Sequence, residues 1–360
     1  MSDKKLILET TPRCNLNCKY CYMPEENLRF SFDVFKESMK RFVEYNTRYL
    51  LVTFHGGEAL TIGLDNFKEF MDLEKKLNTK DLILKNSVQT NGTLINSEWI
   101  DFFKENSFHV GISIDGPKEI HDKNRRYLDG RGSYSEVIKA ISLLKEGNIP
   151  FGTITVLTKD SLGREKEIYE TIKGINALSS KVNFYSSAGK GARYEDELEL
   201  TSEEKLQVMK TFYDIYKKDN NEPLKLSPFD RIIESFFTEK SSICEYNGAC
   251  NINSILFVDS KGDIYPCGRF IGNNSAKLGN VFLNNLEEIE KSPFYLNQNL
   301  RKKNLEGKTD LPFFKFHNGG CLYEALNKNG NIDTISPDYE FKEQLIEYIY
   351  EDIKKRINVT

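Results

Sequence analysis

Three cysteines near the start of the chain, in Cys14-Asn-Leu-Asn-Cys18-Lys-Tyr-Cys21, have the spacing C-x3-C-x2-C. A tight loop of this length can point three thiolates inward to grip three corners of a [4Fe–4S] cube. Most such clusters are held by four cysteines. Three leave one iron open, and an open iron can bind a reactant. The alternative for the loop is a zinc site, which needs a fourth Cys or His close in space. Four further cysteines, Cys244, Cys250, Cys267 and Cys321, lie in the last third, with none between the two groups. Four thiolates can close a [4Fe–4S] cluster fully or hold a structural zinc. An odd total of seven leaves a disulfide set one short, and clustering points to metal ligation.

The elements that must position these groups read as alternating strands and helices. Short apolar runs at Lys5–Thr10, Tyr49–Phe54, Leu82–Gln89, Phe108–Ile114, Phe151–Val156 and Lys181–Tyr185 suit buried parallel strands. Helical patterns lie between them near Ser31–Tyr45, Leu64–Leu77, Ser97–Glu105, Tyr134–Gly147 and Gly163–Ile175. Such alternation predicts an α/β fold with a parallel sheet, curled into a partial (β/α)6 TIM-like barrel. Active sites collect just after such strands. Ala188–Arg193 reads as a loop, Ser202–Lys218 as a charged helix, and the polar stretch Asp219–Pro228 as a linker. Ile255–Val258 and Asp263–Tyr265, around Ser260-Lys-Gly262, read as a hairpin. An amphipathic helix, Phe341–Ile357, closes the chain, with Phe341, Leu345, Ile349 and Ile353 on one face. The expected domains are residues 1–228 and 229–360, the second small and cysteine-bearing.

The 360 residues include 29% charged ones and carry a formal net charge of -4, so no broad basic field invites nucleic acid. No signal-peptide pattern and no run of membrane-spanning length is present, so the expected address is the cytoplasm, without a membrane partner.

The cysteine loop, with Tyr20 before its last cysteine, resembles the signature of radical S-adenosylmethionine (SAM) enzymes. Three further strand ends carry motifs similar to that family's, in the family's order. His55-Gly-Gly-Glu-Ala-Leu60 resembles the Gly-Gly-Glu-Pro motif, with Ala59 where proline is usual. Gln89-Thr-Asn-Gly-Thr-Leu94 follows the third strand, its Asn91-Gly92 alone being a plain turn signal. Gly111-Ile-Ser-Ile-Asp-Gly-Pro117, then His121-Asp122 and Arg125, resembles a block of radical SAM peptide and protein maturases. The resemblance implies a catalytic [4Fe–4S] cluster on Cys14, Cys18 and Cys21 whose open iron chelates SAM. Reductive cleavage of SAM then yields a 5′-deoxyadenosyl radical that abstracts hydrogen. It also implies SAM contacts from Tyr20, Gly56, Gly57, Glu58, Gln89 and Asn91. Ser113 and Arg125 would take the SAM carboxylate, which an arginine fork suits. A cytoplasmic electron donor such as flavodoxin or ferredoxin is expected.

Cys250-x11-Gly262-x4-Cys267 resembles the opening of the SPASM domain or its shortened form, twitch. Cys244 and Cys321 would complete one auxiliary [4Fe–4S] cluster, and no cysteine remains for a second. His317 lies near the place of another family cysteine and is expected on the surface. The nearest motif likeness is to anaerobic sulfatase maturases, which make formylglycine and carry an aspartate after the G-x4-C cysteine. Here Gly268 follows, which argues against that reaction; Asp115 is a candidate base. The expectation is therefore a thioether or other crosslink in a ribosomally made peptide. Formylglycine formation and dehydrogenation of a small metabolite are the alternatives, beside a non-enzymatic zinc protein. With its first cysteine at residue 14, the chain is expected to lack an N-terminal peptide-recognition domain.

Overall fold

A computed structural model describes all residues except 1–2, 27, 29, 46, 81, 220–223, 239–243, 245–252, 307–309 and 359–360. By contacts the chain divides into two compact units. The first comprises Met1–Ile154, Ser186–Asp196 and Ile252–Tyr295, the second Thr155–Tyr185, Glu197–Asn251 and Leu296–Thr360. The boundary expected at residue 228 falls inside the second unit.

The elements run β1 (Lys4–Thr11), α1 (Phe32–Glu44), β2 (Tyr49–Gly56), α2 (Leu64–Leu77), β3 (Ile83–Thr90), α3 (Ser97–Glu105) and β4 (His109–Ser113). There follow α4 (Lys118–Asn124), α5 (Tyr134–Glu146), β5 (Phe151–Leu157), α6 (Glu165–Ile175), β6 (Ser179–Phe184), α7 (Glu195–Leu198) and α8 (Ser202–Tyr216). Then come β7 (Leu226–Ser227), α9 (Phe229–Thr238), β8 (Ile255–Val258), β9 (Asp263–Tyr265), β10 (Gly279–Asn280) and α10 (Leu286–Ile289). The chain closes with α11 (Pro293–Leu305), α12 (Phe314–His317), α13 (Leu322–Asn329) and α14 (Tyr339–Asn358).

In the first unit, β1 to β5 pair in parallel and in sequence order. The hairpin β8–β9 joins this sheet from the far end of the chain, β8 lying parallel to β1 with Leu6 opposite Leu256. Its three-residue loop turns at Gly262, whose φ of +84 is the left-handed conformation such loops place on glycine. The β1–β8 pair sets the Cys267 segment beside the strand that leads into the first cysteine loop.

The core beneath β2 is aromatic. Phe70 is fully buried among Phe32, Phe35, Phe54 and Phe67, with ring centroids 4.0–5.7 Å away. Phe35 comes from α1, Phe67 and Phe70 from α2, where the three-residue spacing puts both on one helix face. Truncating such a phenylalanine costs about 3–5 kcal/mol. α3 starts on Asn96, whose side chain accepts from Trp99 N at 3.1 Å.

In the second unit α8 opens with a capping box, Thr201 and Glu204. Tyr213 of α8 donates to Asp352 of α14 at 2.8 Å, and Phe341, Leu345 and Ile349 of α14 are buried as their spacing predicts. The stretch expected to be a linker contains β7, which pairs with β6 through Ser180 and Leu226. Leu226 is fully buried, which two residues of strand in a polar stretch do not announce.

Candidate active site

Strand β1 delivers the chain to Thr11, and the cysteine loop follows at once. Its path is fixed by the turn after β2. Gly57 N donates to Thr11 O and Glu58 N to Arg13 O, both at 2.8 Å. A Cβ on Gly57 would lie 2.3 Å from Arg13 O, and one on Gly56 2.4 Å from Thr11 O. The glycines are there because two main chains touch.

Glu58 is 1% exposed. Its carboxylate accepts from Leu60 N (3.0 Å), Thr90 Oγ1 (2.7 Å) and Asn91 N (2.7 Å). Burial raises its carboxyl above the ordinary value, against the pull of those three donors. It braces the second strand end to the third. Asn91 passes the brace on, donating to Asn15 Oδ1 at 2.9 Å and lying 3.9 Å from Cys14 Sγ. Leu16 N points at the same sulfur at 3.3 Å.

On the far side of the loop, Asn17 N donates to Arg126 O (2.7 Å) and Lys19 N to Asn124 O (3.0 Å). Asp115, 1% exposed, receives Arg125 Nε at 3.0 Å, Arg125 Nη2 at 3.2 Å and the Tyr20 hydroxyl. Both oxygens are engaged, so Asp115 is a strut and not the free base considered from the sequence. It holds the Arg125 guanidinium 5.1 Å from the Tyr20 ring centroid. His121 accepts from Asp115 N on Nδ1, so its Nε2 carries the proton toward Ser133, which donates to Arg125 O at 2.9 Å. Gln89 Nε2 donates to Ser113 Oγ at 3.1 Å across Gly111.

One contributor was legible only as a loop. Gly191 N donates to Cys21 O at 2.7 Å and Lys190 N to Met23 O at 3.1 Å. A Cβ on Gly189 would meet Tyr22 O at 2.1 Å, so Gly189-Lys-Gly191 lies flat on the cysteine loop. The Gly-x-Gly pair was the available signal.

Burial, then the neighbouring thiols, push Cys14 up to about 12. Burial does the same to Cys18 despite the opposing pull of Arg125. Bare thiolates would be costly here, and a cationic metal core removes that cost. No three His, Cys, Asp or Glu side chains among the described residues converge as ligands of one ion. The thiolates of a cluster each bond a different iron, so they need not. Three thiols on one eight-residue loop are a donor set that fits such a cluster.

Behind the loop, Tyr22 faces His55, ring centroids 6.3 Å apart. His55 Nδ1 accepts from Gly56 N at 2.7 Å, and burial lowers its pKa to about 4. The neutral ring thus keeps its proton on Nε2. Cys267 and Arg269 contribute to the field around Tyr22, where burial raises the phenol. Gly268 packs on Phe257, and a Cβ there would sit 2.9 Å from the ring. That contact is a physical reason why no acid follows Cys267.

Cys244 and Cys321 belong to the second unit and Cys267 to the first, while Cys250 lies outside the described residues. The six described cysteines are all free of disulfides. His317, expected on the surface, is 0% exposed, with Nε2 bonded to Glu343 Oε2 at 2.6 Å and Nδ1 accepting from Gly319 N. Both ring nitrogens are used, so it is a core residue. No helix of the described residues is long and apolar enough to cross a membrane.

The radical SAM superfamily model matches residues 8–172, and that of SPASM, an iron–sulfur cluster-binding domain, residues 250–310. A cysteine-type anaerobic sulfatase-maturating enzyme of Clostridium perfringens is 31% identical over 343 residues, 88% of each chain. A serine-type enzyme of Bacteroides thetaiotaomicron is 28% identical over 78% of this chain and 72% of its own. Among solved structures, anSMEcpe with bound AdoMet and the Kp18Cys peptide aligns over 100% of both chains, with 26% identity and TM-score 0.87. SuiB of Streptococcus suis, bound to its precursor peptide SuiA, shares the fold at 17% identity and TM-score 0.68, over 93% of this chain and 75% of its own. The parallel sheet with its helices is thus the expected partial barrel, followed by a SPASM segment.

Proposed function

We propose, for a chain that belongs to the radical SAM enzymes bearing a SPASM iron–sulfur domain, that it oxidises a cysteinyl or seryl side chain of a peptide or protein. The observation carrying this reading is the likeness to sulfatase-maturating enzymes along the whole chain. It favours formylglycine formation over the crosslink expected from the sequence.

Cys14, Cys18 and Cys21 would hold the cluster, which when bound supplies the electron that cleaves SAM. The chain's own residues do the positioning. Arg125 spends Nε and Nη2 on Asp115 and keeps Nη1 for the SAM carboxylate, with Ser113 oriented by Gln89. Gly56, Gly57 and Glu58 act on SAM through the shape of the turn they build, and Asn91 through the cysteine loop it anchors. Tyr22 and His55 offer a phenol and an Nε2–H to a substrate main chain at the back of that loop. Flavodoxin or ferredoxin is the class of electron donor we assign.

Gly268 favours a second reading. With no acid after Cys267, the oxidised carbon could be captured by a nucleophile of the peptide itself, giving a crosslink. Mass analysis of a cysteinyl peptide after anaerobic turnover separates the two. Conversion of –CH2SH to –CHO loses two hydrogens and exchanges sulfur for oxygen, whereas a crosslink loses two hydrogens and keeps sulfur. Formation of 5′-deoxyadenosine with every candidate peptide unchanged would overturn both readings.

A further inference from the structure

Strand β1 carries a buried acid that the chemistry so far leaves unused. Glu9 is 3% exposed and lies in register with His55 of β2, as Leu8 does with Phe54. Alternation puts Leu8 and Phe54 on the opposite side of the sheet, where Phe67 and Phe70 of α2 pack against Phe54. Phe54 pairs in turn with Val88, so one residue on, His55 is level with Gln89, which bonds Ser113. Glu9, His55, Gln89 and Ser113 thus form one row across β1 to β4, on the face away from α2. The row lies near the C-terminal ends of the strands, where active sites collect. All four residues belong to the first unit.

The two oxygens of Glu9 are held differently. Ser260 N and Oγ both donate to Oε2 at 2.7 Å, and Oε1 has no donor among the described residues. Gly56 leaves room for the side chain, since a Cβ there would lie 3.1 Å from Glu9 Cγ. Burial raises the Glu9 carboxyl above its ordinary value; the Ser260 bonds oppose the rise, and Asp259 and Glu26 add to it. Glu26 is itself paired with Lys261 at 2.8 Å. Glu9 also acts on the Tyr22 phenol, as do Cys267 and Arg269. An acid on β1 therefore borders the same phenol as the segment after Cys267, which carries none.

We propose that Glu9 is the catalytic base of the oxidation, in place of the acid missing after Cys267. This rests on reading the chain as a formylglycine-forming enzyme whose substrate lies at Tyr22 and His55. Hydrogen abstraction by the 5′-deoxyadenosyl radical leaves an unpaired electron on Cβ of the substrate cysteine. Formation of the C=S bond then breaks S–H: the proton goes to Glu9 Oε1, and one electron goes to an oxidised iron–sulfur cluster as acceptor. Water adds to the thioaldehyde carbon, and hydrogen sulfide leaves. A base works best when its pKa lies near the operating pH, so a carboxylate shifted upward suits this transfer.

The test uses the holoenzyme under anaerobic conditions with SAM, a chemical reductant and a cysteinyl peptide. Glu9→Gln keeps an oxygen for the Ser260 donors and loses the base. It should keep the parent unfolding midpoint and form formylglycine about a hundredfold more slowly. More 5′-deoxyadenosine should be made per formylglycine. The parent rate should rise with pH as Glu9 loses its proton, and this acidic limb should be missing in Glu9→Gln. An infrared carboxyl band that titrates with the limb should be missing there too. Glu9→Asp should recover part of the rate and keep a limb. Parent rate and parent coupling in Glu9→Gln would overturn the proposal. So would a slower Glu9→Gln that keeps the parent limb, because the loss would then be structural. If Glu9→Gln does not fold, Glu9→Asp decides: a slower rate with poorer coupling supports the base, and parent values refute it. A parent enzyme that cleaves SAM yet forms no formylglycine on any cysteinyl peptide would instead remove the reading beneath the proposal.

Discussion

Replacing Gly57 by alanine should damage the cysteine loop without touching a cysteine. The added Cβ would sit 2.3 Å from Arg13 O, 2.5 Å from Pro12 O and 2.6 Å from Arg13 C. All three are main-chain atoms, so no side chain can swing aside. An ordinary contact is about 3.5 Å, and the segment leading into Cys14 must therefore move by about 1 Å. Overpacking of this kind costs about 1–3 kcal/mol. The shift also stretches Gly57 N to Thr11 O and Glu58 N to Arg13 O, both now 2.8 Å. At about 0.5–1.5 kcal/mol each, these add about 1–3 kcal/mol. The sum, about 2–6 kcal/mol, is a large part of a typical domain's stability. The assay is anaerobic denaturant unfolding, with iron per chain counted after reconstitution. Gly57→Ala should show a lower midpoint and less iron bound by the N-terminal loop. Gly63→Ala is the control, since nothing lies within 4 Å of its added Cβ and only its φ of +89 is strained. If Gly57→Ala matched the parent in both midpoint and iron, the close approach of the two turns would be refuted.

Cys14→Ala, Cys18→Ala and Cys21→Ala should each abolish 5′-deoxyadenosine formation, and parent-level cleavage in any one would contradict the cluster assignment. Asp115→Asn should destabilise by about 3–5 kcal/mol by leaving Arg125 buried without its charge partner; adding Arg125→Met should recover part of that loss in the denaturant midpoint. Burial lowers His121 to about 4, so the unfolded chain binds the extra proton as pH falls from its ordinary value near 6.5. Stability should therefore be full above about pH 6.5 and decline toward pH 4, by about 3 kcal/mol for this group. His55 shifts in the same direction, and a double variant, His55→Gln with His121→Gln, should flatten the pH profile of the denaturant midpoint.

The first cysteine loop was legible because its chemistry is written in covalent spacing: three ligands within eight residues leave a tight loop little else to do. The strands were legible where apolar runs reached five residues or more, or where a turn signal joined two shorter runs as in the β8–β9 hairpin, and β7 and β10, two residues each, fell below any pattern. Partnership across the fold was not legible. Glu58 reads as part of a SAM motif, yet its carboxylate is occupied by Leu60, Thr90 and Asn91. Nothing near residue 58 in the sequence announces a donor thirty residues away. His317 reads as a surface residue, and nothing in the sequence singles out Arg301, yet both are 0% exposed. The left-handed run at Asn318–Gly320 supplies three of the carbonyls that Arg301 meets, and Ile332 and Thr334 supply two more.

The same limit governs the strongest sequence argument against formylglycine formation. Gly268 looked like a deleted base, a statement about catalysis. The structure gives it a packing cause, since the Phe257 ring occupies the space an acidic side chain would need. Phe257 lies on β8 and pairs with Tyr265 across the hairpin, so ring and glycine form one local unit. An aspartate at 268 thus requires a smaller residue at 257, and Gly268→Asp alone should lower the denaturant midpoint without raising turnover. Combined with Phe257→Ala, it should recover part of the overpacking loss, although truncating a buried phenylalanine itself costs about 3–5 kcal/mol. If the double variant then forms formylglycine faster than the parent, the missing acid limits the parent enzyme. If turnover is unchanged in a folded double variant, the proton leaves by another group and Gly268 says nothing about the reaction.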